Sequence, residues 1–438
     1  MKVELTFNPE TKKQMNRFEN TLDCAQQLDK EDPLKIFRNK FYIPLIHGKE
    51  SIYFTGNSLG LQPKTAQENV LNALEDWANY GVEGHVHART PWIKYHEMFP
   101  QKLVPILGAL EEEVVVMNQL TINLHLLLTT FYRPSKKRYK IICEAKAFPS
   151  DQYALQSQAL LAGLEPEKTI IEVIPRAGEH TIRNEDIIAT IKENGNEAAV
   201  VIIGGVNYYT GQAFDMEAIT EAAHEAGAYC GFDLAHAAGN VELNLHKWNV
   251  DFACWCSYKY LNSGPGAVAG AFIHQRHIAN KSLPRLAGWW GTNKENRFKM
   301  EKKFDPIPTA EGWQLSNSPI LNMAAHKASL DIFAEAGFEN ILQKGEKLSA
   351  YLLFILDDIN ASSSKKIIEI ITPRNENEHG CQVSILMLEK GKEIFESLKK
   401  NGVIIDWREP NVIRLAPVPL YNTFEDIYRF GEIIKNML

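Results

Sequence analysis

Long apolar runs are missing from this sequence. No stretch approaches the roughly 20 residues needed to cross a bilayer, and the opening MKVELTFNPETKKQ carries no apolar core of the signal-peptide kind. Cysteine is scarce: six in 438 residues, at positions 24, 143, 230, 254, 256 and 381, with no C-x-x-C pair. That argues against a zinc knuckle or a disulfide framework. Cys254 and Cys256 alternate within DFACWCSY, so they share one face of an expected strand, where they read as small buried hydrophobes. A reducing, cytoplasmic setting is therefore expected. Excess charge of one sign is also absent, with a net charge of -7 and a pI of about 6.0. The basic clusters SKKRYK (135–140) and KMEKKF (299–304) are short and separated. They read as solvated surface, so neither a nucleic-acid nor a membrane partner is expected. Internal repeats are lacking, and the only low-complexity stretch is the SSSKK loop at 362–366.

What is present is a chain long enough for two or three domains around a large core. Seven short apolar runs alternate with helical patterns: VVVM, YKIICEA (139–145), KTIIEVI (168–174), AAVVIIGGV (198–206), AYCGFDL (228–234), DFACWCSY (251–258) and AVAGAFIH (267–274). Between them lie amphipathic segments such as SDQYALQSQALLAG (150–163), NEDIIATIKENG (184–195) and DMEAITEAAHEAG (215–227). Continuous apolar strands separated by helices indicate an α/β fold with a mainly parallel seven-stranded sheet covered on both faces. Beyond about residue 319 the pattern changes to a long helix, the strand-like KIIEIITP, CQVSILMLEK, VIIDW and VIRLAPVPLYN, and a terminal helix. This reads as a smaller α+β domain. The expected division is an N-terminal arm, or part of the small domain, over 1–60, a large domain over 61–310 and a small domain over 311–438.

One lysine stands out. In SYKYLNSGPGAVAG (257–270), Lys259 closes an apolar run and faces a glycine-rich turn, and Lys is rarely placed inside without a partner or a task. Asp233, in GFDLAHAAGN, ends an earlier strand of the same expected sheet, and ligands of open α/β sheets bind beyond the carboxyl ends of the strands. The pair admits a structural ion pair. It also admits a pyridoxal phosphate site, with the lysine as Schiff-base former and the aspartate keeping the pyridine nitrogen protonated. AKAFPSD (145–151) opens a helix after a strand, so Ser150 and backbone N–H groups can face an anion and Phe148 can stack on a flat ring. NQLTINLH (118–125) puts Thr121 near another helix start. For Ser150 and Thr121 the plainer alternative is an N-cap. His236, in D-x-x-H after Asp233, reads as a helix-start histidine or as a contact to such a ring; no third ligand supports a metal.

These residues sit in longer stretches that resemble kynureninase: FYIPLI, IYFTGNSLGLQPK, RYKIICEAKAFPSDQYALQSQ, YYTGQAFD, GFDLAHAAGNVELNLHKWNVDFACWCSYKYLNSGPGAVAGAFIH and IRLAPVPLYNTFEDIY, from about Phe41 to the C-terminus. The resemblance implies a pyridoxal phosphate-dependent transferase fold of the aspartate-aminotransferase type (fold type I). It implies a homodimer with shared active sites, which hydrolyses the Cβ–Cγ bond of L-kynurenine or L-3-hydroxykynurenine. The products would be L-alanine and anthranilate or 3-hydroxyanthranilate, within tryptophan degradation and NAD biosynthesis. By the same resemblance Lys259 is the Schiff-base lysine, Asp233 and His236 contact the cofactor ring, and Phe148 stacks on it. Leu120, Thr121, Pro149, Ser150, Asp151 and Tyr258 belong to the cofactor environment. Trp289 (in LAGWWG) and Asn317 (in LSNSP) match positions that reach in from the partner subunit. Arg414 matches the arginine that clamps the substrate α-carboxylate, a role suited to a planar guanidinium, although the motif alone leaves a surface arginine as the alternative. His85, Ser316 and Asn317 match the combination that favours the 3-hydroxylated substrate. Tyr258, next to the lysine, is a candidate to relay a proton to the β-carbon or only to hold phosphate. One position departs from the pattern: Gly204 stands where the animal enzymes carry a serine hydroxyl, which leaves that cofactor contact open and gives room for a water. Another enzyme on the same scaffold, a cysteine desulfurase or an aminotransferase, is the competing expectation; a desulfurase needs a mobile cysteine, and Cys381 lies in a strand-like run.

Overall fold

The computed structural model describes residues 18–437, so the first 17 residues of the expected N-terminal arm lie outside the described part. The large sheet is built from β1 (Val114–Val116), β2 (Lys140–Glu144), β3 (Ile170–Val173), β4 (Ala198–Gly204), β5 (Tyr229–Asp233), β6 (Phe252–Trp255) and β7 (Gly270–Ile273). Their spatial order is β1-β7-β6-β5-β4-β2-β3. All neighbours pair in parallel except β7, which runs antiparallel to both β1 and β6. The mainly parallel seven-stranded sheet is therefore present. Its central strands are mostly apolar because both faces are covered: Val200 and Ile202 look into one core, and Val201 and Ile203 look into the other.

The helices that cover it include α1 (Thr65–Tyr80), α2 (Leu120–Phe131), α3 (Pro149–Leu161), α4 (Asn184–Asn194), α5 (Met216–Glu225) and α6 (Ile320–Ala336). Asp215 caps α5 by accepting the Ala218 N–H at 3.0 Å. Adjacent strands pair in parallel and end at one edge, so the residues that follow β2, β4, β5 and β6 are brought side by side.

The C-terminal unit has its own core. β8 (Ile368–Ile370), β9 (Val383–Met387), β10 (Asp406–Arg408) and β11 (Val412–Leu415) form an antiparallel sheet in the order β8-β9-β11-β10. Helices α7 (Phe338–Ser362) and α8 (Phe424–Lys435) pack on it. Ala25, Ile52 and Phe54 join this same core, so the N-terminal segment folds back onto the C-terminal unit. The run VIIDW is split rather than forming one strand. Val403–Ile404 pairs in parallel with Ile52–Tyr53, and the chain then changes partner so that β10 joins the small sheet. Helix α6 packs Met323, Ala324, Leu330 and Phe333 into the core of the large sheet.

α6 also carries His326, a fully buried ring stacked on Phe99 at 5.2 Å and 2.6 Å from Ser263 Oγ through Nδ1. Burial, aided by Lys102, pushes this imidazole down to about 3, whereas an unfolded histidine protonates near 6.5. Between those values the unfolded chain binds more protons, so stability declines as pH drops from about 6.5 toward 3. Denaturant midpoints are expected to decline between about pH 7 and about pH 4, and less steeply in His326→Gln; equal slopes would contradict this origin of acid sensitivity.

Candidate active site

The carboxyl edge of the large sheet holds a small pocket whose lining residues come from six segments. Leu120 and Thr121 begin α2. Phe148, Ser150 and Asp151 enter α3. Glu144 ends β2, Gly204 ends β4, Asp233 ends β5, and Tyr258 and Lys259 follow β6. Val206, Tyr208, Ala235 and His236 complete it. Nine residues read from the sequence (Leu120, Thr121, Phe148, Ser150, Asp151, Asp233, His236, Tyr258 and Lys259) are thus in one place. Pro149 sits between two of them as the first residue of α3, where its lack of an N–H costs nothing.

Local backbone shape explains the convergence. Asn118, Lys146 and Asn262 all have φ between 50° and 55°, a left-handed conformation uncommon outside glycine. They stand where the chain leaves β1, leaves β2 and passes Lys259, and such conformations collect at functional loops. β6 itself stops at Trp255, so Lys259 does not close the strand but lies four residues beyond it in a turn. That turn is clamped by Gly60, whose N–H donates to the Tyr258 carbonyl at 2.8 Å. A Cβ on Gly60 would stand 2.4 Å from the Lys259 carbonyl oxygen, which only glycine avoids.

Helices α2 and α3 both start without a side-chain cap. Thr121 and Ser150 are each the second residue of their helix, so neither is an N-cap. Their hydroxyls stand in first turns that line the pocket, next to backbone N–H groups that favour an anion.

The acids are arranged asymmetrically. Asp233 is buried, and its Oδ1 accepts the Ala235 N–H at 2.6 Å. Asp151 is hydrogen-bonded to it, and the two cannot both be ionised without strong repulsion. Burial and then the Asp233 charge hold Asp151 well above the usual carboxylate range. Burial also raises Asp233, but the Lys259 ammonium opposes the rise. The proton therefore belongs on Asp151 and the negative charge on Asp233. His236 is pushed well down by burial, then by the charges of Lys259, Arg414 and Arg408, so its ring is neutral. Its Nδ1 is buried with no hydrogen-bond partner. Burial likewise raises the Tyr258 phenol, which stays protonated. Lys259 Nζ lies 5.8 Å from the centre of the Phe148 ring and 5.9 Å from that of Tyr258.

Four expected residues lie elsewhere in this chain. His85 is half-buried, with Nδ1 2.9 Å from the Val82 carbonyl oxygen and its ring edge-on to Trp92. Trp289 is 47% exposed and donates from Nε1 to the Arg297 carbonyl at 3.0 Å. Ser316 and Asn317 are exposed. Arg414, on β11, is buried rather than a surface arginine. Its guanidinium pairs with Asp406 and donates to the Tyr208 carbonyl at 2.7 Å, directly behind the pocket. Burial lowers it to about 10.

Four lining residues, Glu144, Val206, Tyr208 and Ala235, escaped the sequence reading, and two of them carry polar side chains. Tyr208 packs edge-on against Phe148 at 5.2 Å. Glu144 is a buried acid ending an apolar strand, the same signal that exposed Asp233.

A half-buried lysine, a buried aspartate and an aromatic ring lining one pocket with two uncapped helix starts fit pyridoxal phosphate: an amine for its aldehyde, a carboxylate for its ring nitrogen, donors for its phosphate, and an orphaned imidazole nitrogen to be satisfied. The fold agrees. A solved C-DES variant with glycine covalently linked to its pyridoxal phosphate superposes with a TM-score of 0.72 at 16% identity, covering 87% of this chain and 96% of that one. The protein is a fold-type I enzyme with pyridoxal phosphate as its cofactor. Its sequence is 58% identical to a kynureninase of Flavobacterium psychrophilum over 95% of this chain and 98% of the relative. It is 46% identical to the human kynureninase over 94% and 92%. The profile of the kynureninase C-terminal domain matches residues 341–434. The chain belongs to the kynureninase family, hydrolases acting on carbon–carbon bonds.

The Asp151/Asp233 asymmetry has a direct consequence. Asp151→Asn keeps a neutral donor of the same shape and is expected to cost less than about tenfold in kcat/KM, whereas Asp233→Asn removes the buried charge and is expected to cost roughly a hundredfold or more. Steady-state kinetics of the two variants at saturating cofactor checks the order; a reversed order would place the proton on the wrong acid.

Proposed function

We propose that this enzyme hydrolyses the Cβ–Cγ bond of L-kynurenine and, preferentially, of L-3-hydroxykynurenine, releasing L-alanine and anthranilate or 3-hydroxyanthranilate. The observation that carries this reading is one pocket lined by buried Asp233, half-buried Lys259 and Phe148, in a chain 58% identical to a kynureninase over 418 residues. Bound pyridoxal phosphate supplies an electron sink for the charge left on the substrate's carbon skeleton. The protein's own residues do the remainder. Lys259 holds the cofactor covalently and, once displaced by the substrate amine, can carry the α-proton. Asp233 supports positive charge on the ring nitrogen, with Asp151 as its neutral hydrogen-bond partner. Leu120, Thr121, Pro149 and Ser150 frame the phosphate at the two helix starts, and His236 offers its neutral ring. Arg414 binds the substrate α-carboxylate from behind Tyr208. Tyr258, kept as a phenol, donates a proton to the β-carbon.

His85, Ser316, Asn317 and Trp289 complete the reading as residues that reach the site of a partner subunit in a homodimer. Two features support it: their position at the surface of their own chain, and a band of exposed apolar side chains on and after α1, including Leu71, Trp77, Val82 and Val86. A histidine and an amide there can bond the phenol of the 3-hydroxylated ring. A cysteine desulfurase is disfavoured, because Cys381 is buried and burial pushes its thiol up to about 12. The division into an arm over 1–60, a large unit over 61–310 and a small unit over 311–438 belongs to the same reading. So does a cytoplasmic place in tryptophan degradation and NAD biosynthesis, supported by the scarcity of cysteine and by the lack of any described helix long and apolar enough to cross a membrane.

Product analysis tests the reaction. With cofactor-loaded protein, alanine and 3-hydroxyanthranilate are expected to form with a higher kcat/KM than alanine and anthranilate. Faster anthranilate would overturn the preference, and no cleavage of either substrate would overturn the activity. Tyr258→Phe is expected to lower kcat about a hundredfold at saturating cofactor; unchanged turnover would remove the proton relay.

A further inference from the structure

Glu144 is buried to 4% exposure at the end of β2, and both of its carboxyl oxygens rest on one donor, the backbone N–H of Gly204, at 3.0 and 3.2 Å. Gly204 ends the adjacent strand β4. A Cβ built there would stand 2.9 Å from Glu144 Oε1, so the carboxyl fills the space that a side chain at position 204 would claim. Both residues line the pocket that holds Lys259. The titratable groups around Glu144 are Asp233 at the end of β5, Asp151 in the first turn of α3 with Lys259 facing those two acids, and Cys143 on its own strand. Burial, reinforced by Asp233, raises Glu144 to about 7 against the pull of the backbone N–H groups. A carboxylic acid seated on an N–H donor still has an O–H to give.

We propose that Glu144 is a cofactor-positioning residue: from the seat left open by Gly204, its carboxylic acid donates a hydrogen bond to bound pyridoxal phosphate on the β2–β4 side of the pocket. The inference rests on the reading of this pocket as the cofactor site. It accounts for the otherwise uncompensated burial of a third acid, because a group that donates as a neutral acid adds no negative charge beside Asp233.

The test measures the pyridoxal phosphate Kd of the apo-protein and the absorbance spectrum of the bound cofactor. Glu144→Ala is expected to raise Kd about tenfold or more and to shift the absorbance maximum. Glu144→Gln, of the same size and still a neutral donor, is expected to return Kd to within about threefold of wild type with an unshifted maximum. Gly204→Ala provides the second line should Glu144→Ala fail to fold, because its Cβ displaces the same carboxyl; Kd is expected to rise several-fold. A wild-type Kd and spectrum in Glu144→Ala, or in Gly204→Ala if only that variant folds, would overturn the inference, even alongside a lowered melting temperature. So would a Glu144→Gln variant as impaired as Glu144→Ala, since that demands an ionised carboxylate. Borohydride trapping and peptide mapping of the wild type separate the two levels. Cofactor on another lysine would sink the pocket reading itself, whereas cofactor on Lys259 with indifferent Glu144 variants would sink this inference alone.

Discussion

Charge balance in a dry pocket is the constraint on which this site depends. Three carboxyl groups, Glu144, Asp151 and Asp233, line the same small space as one ammonium, Lys259. An unpaired buried carboxylate costs several kcal/mol, so the three cannot all be ionised around a single cation. The arrangement resolves the conflict by giving each acid different company. Asp233 receives the Ala235 N–H and the field of Lys259, and it keeps the charge. Asp151 hydrogen-bonds to Asp233 and takes a proton. Glu144 is set on the Gly204 N–H and titrates near neutrality. The neutral imidazole of His236 and the neutral phenol of Tyr258 follow from the same scarcity of solvent, since both charged forms would need water that burial has removed.

A parallel sheet is well suited to this. Adjacent parallel strands end at one edge, so the last residues of β2, β4 and β5 become neighbours without any long loop. Register makes the placement specific: Gly204 lies opposite Asp233, and Asp233 opposite Cys254. The helices that return across the sheet begin at the same edge, which places the first turns of α2 and α3 around the acids.

Much of this was legible in the sequence. Apolar runs between amphipathic helices indicated the parallel sheet, because strands covered on both faces have no polar side to show. An acid ending one run and a lysine following another indicated the edge where they meet. What could not be read were features set by the turn of the backbone rather than by composition. Lys259 stands four residues past its strand instead of closing it, since the chain must pass Gly60 and turn at Asn262 to present the amine. VIIDW looked like one strand because its residues are uniformly apolar up to Asp406, yet it serves two pairings. Arg414 looked like a surface residue from its motif alone; only the small sheet shows that β11 carries it inward. Glu144 gave the same signal as Asp233 and went unread, because a single acid at a strand end becomes informative only once its neighbours are known.

Arg414 also shows how the two units are joined electrostatically. Its guanidinium, anchored by Asp406 on the small sheet, donates to the carbonyl of Tyr208, a residue of the large unit whose ring packs on Phe148. Asp406 additionally bonds Arg408 at 3.2 Å, and both guanidinium charges bear on His236. One carboxylate therefore faces two cations, and the surplus positive charge is directed toward the pocket from the side of the small unit. A carboxylate arriving there would meet that surplus charge. The acids that line the pocket belong to the large unit, and the arginines Arg408 and Arg414 belong to the small sheet. The site is in this sense divided by charge along the boundary between the two cores.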